Sequence, residues 1–288
     1  MRVLITGGSG LLGSALVISA PVDLDVEATR YRREPAVEGP RPIRRHRCDL
    51  TQPGAAFELL HRRRPDLVIH TAYSKTDASV TIDSTTEVAA ACAALDVDLV
   101  HISTDAVFDG DHAPYAEDAV PRPVHAYGRA KRTAELAVLE QCPAAAIVRT
   151  SLILAADGSD ETTAWAIAAN RRAERVTFFV DEFRMPIAVH DLAAQLWELV
   201  ALGRAGRAGV WHLVGPERLS RAEIGRSIVA RFDLDASTVD EASAATTGTP
   251  RPRDLSLGSV RAPGLLTRPG SVRLLGAGTV SADAEEVR

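Results

Sequence analysis

The sequence predicts an α/β fold in which a doubly wound parallel sheet is joined to a smaller, discontinuous α/β lobe. Three observations predict it. Apolar runs of strand length alternate with helix-period stretches through the first half of the chain. Those runs are almost continuously apolar, as strands covered on both faces are. A glycine-rich turn follows the first run and opens the first helix pattern.

The elements follow in order. The runs Val3–Ile5, Val26–Thr29, Leu67–His70, Leu99–Ser103 and Ala145–Thr150 read as strands. Helix patterns lie between them at Leu11–Ala20, Ala55–Arg63, Thr85–Leu95 and Ala130–Glu140. Strand and helix alternating at this spacing mean βαβ units and a parallel sheet. The second half is less regular. Thr162–Arg172 reads as a helix, Val176–Val180 as a strand, Ala188–Leu202 as a helix and Gly209–Val214 as a strand. Leu219–Arg231 reads as a helix capped by Ser220, with Glu223 placed for a capping box. From about Asp235 the chain is rich in Ala, Ser, Thr, Gly and Pro, which predicts irregular structure and a frayed tail after Gly276. No repeat and no linker is visible. The expected division is therefore a dinucleotide-binding domain at 1–150 plus about 181–208, and a substrate lobe at about 151–180 plus 209–288.

Composition narrows the function. The 288 residues are 46% hydrophobic and 25% charged, with net charge −5. That fits a soluble globular protein and argues against a nucleic-acid partner. No apolar run reaches the ~18 residues of a membrane span, and the N-terminus is unlike a signal peptide. Cys48, Cys92 and Cys142 form no CxxC pair, so neither a disulfide scaffold nor a zinc site is expected. No metal is predicted, a cytoplasmic location is expected, and a homodimer is allowed.

The turn reads Gly7-Gly8-Ser9-Gly10-Leu11-Leu12-Gly13. Gly7, Gly10 and Gly13 are the residues such a turn needs: positive φ, close approach of backbone N–H groups to a pyrophosphate, and tight packing of helix on strand. With the helix N-terminus behind it, this is a Rossmann-type dinucleotide site built on Gly7, Ser9, Gly10, Leu11, Leu12 and Gly13. The second strand ends in Thr29-Arg30-Tyr31-Arg32-Arg33 and not in an acid. A guanidinium such as that of Arg30 suits a 2′-phosphate, so NADP(H) is preferred over NAD(H).

Tyr127 and Lys131 stand four residues apart, on one face of a helix. In a chain with four tyrosines and two lysines this spacing is informative. An ammonium beside a phenol is expected to lower the tyrosine pKa and make it a proton donor or acceptor at a carbonyl. Thr104 and Asp105 directly follow the fourth strand run, at the carboxyl edge where ligands of such sheets bind. Thr104 is placed for a substrate oxygen. Asp105 either does the same or holds the loop, and Asp109 reads as a turn cap. His70, His101, His125 and His190 read as packed or hydrogen-bonded, Trp165 and Trp211 as core. Arg184 is placed to meet a phosphate or a carboxylate of the substrate.

Together, TGGSGLLGSAL (6–16), Cys48-Asp49-Leu50, HTAYS (70–74), STDAVFDG (103–110), AYGRAK (126–131) and IVRTS (147–151) resemble the extended short-chain dehydrogenase/reductase superfamily. With DEFRMPIAVHDLA (181–193), GVWHLVG (209–215) and Arg251-Pro252, the chain more narrowly resembles the dTDP-4-dehydrorhamnose reductase family. The resemblance implies NADPH- or NADH-dependent reduction of a ketone on a sugar nucleotide. It makes Tyr127 the proton donor and Lys131 the holder of the nicotinamide ribose. It gives Thr104 the substrate oxygen, sets Asp49 and Leu50 beside the adenine, and sets Ala72 and Tyr73 beside the cofactor. The departures fall on the substrate side: Leu152 and Ala106 replace aromatic residues of the pattern, Asp83 its asparagine, and Arg184 the glycine of Asp-x-x-Gly-x-Pro-Thr. They leave two alternatives open. One is a cofactor-binding, non-catalytic partner subunit, like the regulatory subunit of methionine adenosyltransferase that resembles these reductases. The other is an NAD-dependent sugar-nucleotide epimerase or dehydratase.

Overall fold

Alternation along the first strand sets the layers. In β1 (Arg2–Thr6), Val3 and Ile5 point to one face of the sheet and Leu4 to the other, and all three are fully buried. A strand buried on both faces must be covered by helices twice. The computed structural model describes residues 1–32, 42–248 and 251–275 and has this arrangement. After β1 come α1 (Leu11–Ile18), β2 (Asp25–Arg30), β3 (Arg44–Arg47), α2 (Ala55–Arg63), β4 (Leu67–His70), α3 (Ala78–Leu95) and β5 (Asp98–Thr104). Then follow α4 (Ala126–Gln141), β6 (Ala146–Thr150), β7 (Ile153–Leu154), α5 (Glu161–Arg171), β8 (Val176–Phe179), β9 (Phe183–Arg184) and β10 (Ile187–Ala188). The chain continues through α6 (Val189–Ala201), α7 (Gly203–Arg207), β11 (Gly209–His212), β12 (Leu219–Ser220), α8 (Arg221–Phe232) and β13 (Val239–Ala242).

Among the described residues seven strands form the main sheet in the order β11-β6-β5-β4-β1-β2-β3, and every pair is parallel. The strand order reverses between β1 and β4, which opens a crevice at their carboxyl ends. Leu12, Leu16, Leu192 and Leu196 of α1 and α6 cover one face; Leu59, Leu60, Val88 and Cys92 of α2 and α3 cover the other. Burying each such side chain is worth about 1.5–3 kcal/mol.

A second core lies under the remaining segments, where Leu154, Ala166, Phe178, Leu219, Ile224 and Ile228 pack together. Three two-stranded pairings, β7 with β10, β8 with β13 and β9 with β12, knit that lobe from segments far apart in sequence. The capping box on α8 forms as the sequence predicts: Ser220 Oγ accepts from Glu223 N at 3.1 Å, and Ser220 N donates to Glu223 Oε2 at 2.8 Å.

Several expectations need correction. Residues 209–212 were expected in the second lobe; as β11 they pair with β6 and extend the main sheet. Strand β3 was not foreseen, because Arg44-Arg45-His46-Arg47 has no apolar pattern. It is an edge strand, where charge is tolerated. Helix α3 starts seven residues before the expected Thr85, since Asp77 caps it by accepting from Ser79 N and Val80 N. The early turns are rich in Ser, Thr and Asp, which weaken a helix signal in sequence. Trp165 is 45% exposed, with its ring edge on Phe178, whereas Trp211 is core as expected. Arg33 and the residues after Gly276 lie outside the described residues.

Candidate active site

The residues picked out in sequence gather along the carboxyl edge of the sheet. Gly7 follows β1, Arg30 ends β2, Asp49 and Leu50 follow β3, Ala72 and Tyr73 follow β4, and Thr104 ends β5. They are brought together because all these strands are parallel and the chain leaves each at the same edge.

The glycine turn is built for close approach. Gly7 has φ +71, and a Cβ there would lie 2.9 Å from Ala72 N; a Cβ on Gly13 would lie 2.2 Å from Gly7 O. Gly7 N donates to Thr29 Oγ1 at 3.2 Å and Gly10 N to Gly7 O at 2.9 Å, which hold the loop shut on the sheet. Gly10 brings α1 no side-chain cap. The first-turn N–H groups near Leu11 and Leu12 have no acceptor within the helix by construction. Such a turn suits an anion. Ser9 and Leu11 are half-buried at its rim, while Leu12 packs into the core. Arg30 is half-buried, and its carbonyl accepts from Cys48 N at 2.9 Å, tying β2 to the Asp49 loop. Asp49 Oδ1 accepts from Thr51 Oγ1 at 2.7 Å, a bond that holds its carboxyl below the ordinary range. Leu50 packs inward with Leu4, Ala56 and Leu59.

Helix α4 carries Tyr127 and Lys131. His125 caps it, its Nδ1 accepting from Gly128 N at 3.1 Å. A Cβ on Gly128 would stand 2.0 Å from Ala106 O, so glycine after Tyr127 is what lets the helix seat against the turn at Asp105–Val107. Tyr127, Lys131 and Glu135 share the inward face. Glu135 is fully buried. It accepts from Ser103 Oγ at 2.6 Å, from Arg149 Nε and Nη2 at 2.9 and 3.0 Å, and from Arg132 Nη1 at 3.0 Å. This network fixes α4 on β5 and β6, and so fixes the tyrosine.

The lysine was expected to lower the Tyr127 pKa. Instead the phenol is pushed up, chiefly by burial and then by Tyr73 and Asp105, against a hydrogen bond with Thr104 that works the other way. Lys131 explains the difference. Its ammonium is turned under the sheet edge, donating to Ile102 O at 2.6 Å, with His101 Nε2 at 3.4 Å and the Tyr73 ring centroid at 5.9 Å. Burial lowers the lysine to about 8, partly offset by Glu135. His70 and His101 are buried, stacked at 5.5 Å, and held far below their ordinary pKa range by burial and by Lys131. They are packed residues, as the sequence reading expected, and His190 pairs with Asp191 at the surface.

Thr104 caps the turn that follows β5, accepting from Ala106 N at 3.2 Å. Asp105 is 4% exposed; its Oδ2 accepts from Ser151 Oγ at 2.6 Å and lies 3.7 Å from Arg184 Nη1. Of its two expected roles the loop-holding one is visible here. Asp109 is a turn cap, accepting from Asp111 N at 3.1 Å and from Tyr115. Asp83 is exposed on α3. Ser151, Glu135 and Arg221 were missed. Glu135 had a signal, four residues beyond Lys131; Arg221 had none, since it reads only as the first residue of a capped helix.

The parallel sheet with its strand-order reversal, the glycine turn and the Tyr-x-x-x-Lys helix define an oxidoreductase of the extended short-chain dehydrogenase/reductase type. Comparison with known proteins agrees. Residues 1–262 match the family model described as RmlD substrate binding domain. A dTDP-4-keto-6-deoxy-D-glucose reductase of Streptomyces niveus is 34% identical over 73% of this chain and 72% of its own length. The methionine adenosyltransferase 2 subunit beta of Danio rerio is 29% identical over 82% of this chain and 75% of its own. The crystal structure of a hypothetical dTDP-4-dehydrorhamnose reductase from Sulfolobus tokodaii superposes with TM-score 0.78 at 29% identity, covering 93% of this chain and 96% of that one. The chain belongs to the RmlD substrate binding domain family. Among the described residues no helix is long and apolar enough to cross a membrane.

Proposed function

We propose that this protein is an NADP-dependent reductase of a ketone on a sugar nucleotide. The observation that carries the reading is the seating of Tyr127 beside Thr104 at the sheet edge onto which the glycine turn opens. The turn at Gly7–Gly13 and the α1 N-terminus would hold the pyrophosphate, Arg30 a 2′-phosphate, Asp49 and Leu50 the adenine side. Ala72, Tyr73 and Lys131 would hold the nicotinamide riboside. The dinucleotide, when bound, supplies the hydride. A substrate carbonyl oxygen would accept from the Tyr127 hydroxyl and, once Thr104 Oγ1 turns from Asp105 Oδ1, from Thr104 as well. A phenol kept protonated by burial is a proton donor across the neutral range, and it gives its proton to the oxygen that becomes the alcohol. Lys131 then stabilises the phenolate left behind, once its ammonium turns outward from Ile102 O. The names of the Streptomyces and Sulfolobus relatives support this substrate class.

The test is NADPH oxidation with a panel of nucleotide-linked keto sugars, run beside Tyr127→Phe. The variant is expected to lose about 10²–10⁴-fold in turnover while still binding the dinucleotide. Undiminished turnover would remove Tyr127 from the chemistry.

The match to the Danio rerio subunit favours a second reading, a non-catalytic partner subunit, as do Ala106 and Leu152 on the substrate side. Recovery of one stoichiometric enzyme partner with no turnover on any keto sugar would establish it. Tight cofactor retention without net oxidation would point to an epimerase or dehydratase.

A further inference from the structure

We propose that Arg184 receives a carboxylate carried on the sugar ring, so that the substrate of this site is an acidic keto sugar. The proposal rests on the reading of the site as a keto-sugar reductase and narrows its substrate class.

Arg184 ends β9 and reaches across from the second lobe to the turn after β5. Its side chain is 13% exposed. Nη1 is buried and, among the described residues, has no hydrogen-bond partner. The nearest carboxylate oxygen, Asp105 Oδ2 at 3.7 Å, is beyond hydrogen-bond range and already accepts from Ser151 Oγ at 2.6 Å. The other oxygen of Asp105 accepts from Thr104 Oγ1 at 3.2 Å. Asp105 is thus committed elsewhere, and a donor of Arg184 is left over.

The charge is unbalanced in the same sense. Arg221, the first residue of α8, stands close enough that burial and then the charge of Arg184 hold its guanidinium down to about 10. The second acid of the region, Glu182, is occupied by Arg251. Three guanidinium groups, of Arg184, Arg221 and Arg251, therefore share two carboxylates, those of Asp105 and Glu182, which leaves one positive charge in excess. A buried cation without a full partner is costly, and a ligand carboxylate both accepts the spare N–H and cancels the excess charge.

Position separates a ring carboxylate from the diphosphate. Asp105 adjoins Thr104, whose hydroxyl lowers the Tyr127 pKa against burial, and the charge of Arg184 reaches His125, two residues before that tyrosine. Arg184 is therefore at the reacting end of the cleft, where the sugar ring sits. The glycine found here in the sequence pattern the chain resembles has no side chain to play this part.

The probes are UDP-glucose and UDP-glucuronate, with their dTDP counterparts. Each pair shares its diphosphate and differs at one sugar carbon. Calorimetric titration of the full chain saturated with NADP⁺ is expected to find the glucuronate about tenfold or more tighter, the scale of one charge-assisted bond. Arg184→Met is expected to abolish the difference and Arg184→Lys to keep part of it. Equal affinities in the parent protein, or no binding of the glucuronate, would overturn the proposal. So would an Arg184→Met loss equal for both probes, the signature of a phosphate contact or a structural role. A titration with NADP⁺ alone separates the two readings. Failure there sinks the reductase, while a glucuronate preference measured without it still upholds the carboxylate site.

Discussion

Under the proposed function, cofactor choice turns on Arg30. It ends β2, where an acid would hydrogen-bond a ribose and an arginine would instead suit a 2′-phosphate. Arg30→Ala is expected to weaken NADPH binding about tenfold and to leave NADH binding nearly unchanged, as read by fluorescence titration. An equal loss for both would show that Arg30 does not read the 2′-phosphate. At this scale the sequence was most legible where chemistry demands one residue type at one spacing: Gly7 and Thr104 stand at the carboxyl edge of the sheet, Gly13 packs α1 against the turn, and Tyr127 and Lys131 share a face of α4. It was least legible for orientation. No spacing rule says that Lys131 turns toward Ile102 O, because that carbonyl and the burial that favours it come from β5, about thirty residues away.

Helix α4 depends on a buried ion pair for its placement. Glu135 and Arg149 are almost wholly inaccessible, and each is the main partner of the other. Breaking such a pair from one side leaves a buried charge unpaired and costs about 3–5 kcal/mol. Glu135→Gln should therefore lower the melting temperature by about 10 °C. Adding Arg149→Met should recover part of that loss. No recovery in the double variant would mean that Ser103 and Arg132, not the ion pair, hold the helix. Element boundaries show the same division. Helix α2 was placed to the residue because its apolar positions and its flanking residues agree. Strand β3 and the start of α3 were missed because partners elsewhere in the fold, not local pattern, make them regular.

Acid sensitivity belongs to the whole molecule, since Glu27 joins β2 to β3 and α2. Its buried carboxylate accepts from Arg63 Nε at 2.7 Å and bonds His46 Nε2 at 2.7 Å. The bond to Arg63 is the largest cause that brings its pKa from 4.5 to about 2, against the opposing effect of burial. The folded value lies below the unfolded one, so below pH 4.5 the unfolded chain takes a proton that the folded chain refuses. The stabilisation, about 3 kcal/mol, is present above pH 4.5 and is lost as pH falls toward 2. Urea unfolding from pH 6 to 2.5 should show Glu27→Gln less stable at pH 6 and with a shallower acid limb than the parent. Parallel limbs would assign the acid loss to other carboxylates.

Local pattern alone determined the parallel α/β sheet, the dinucleotide turn and the Tyr–Lys helix. Each rests on periodicity or on a residue with no substitute, and those are properties of neighbours in the chain. The tertiary structure alone decided that β11 closes the main sheet, that Lys131 turns inward with its ammonium shared by a carbonyl, and that Arg184 meets Asp105 beside Tyr127. Those outcomes depend on which distant groups share a buried space. Desolvation and charge pairing act through space, and sequence order does not record them.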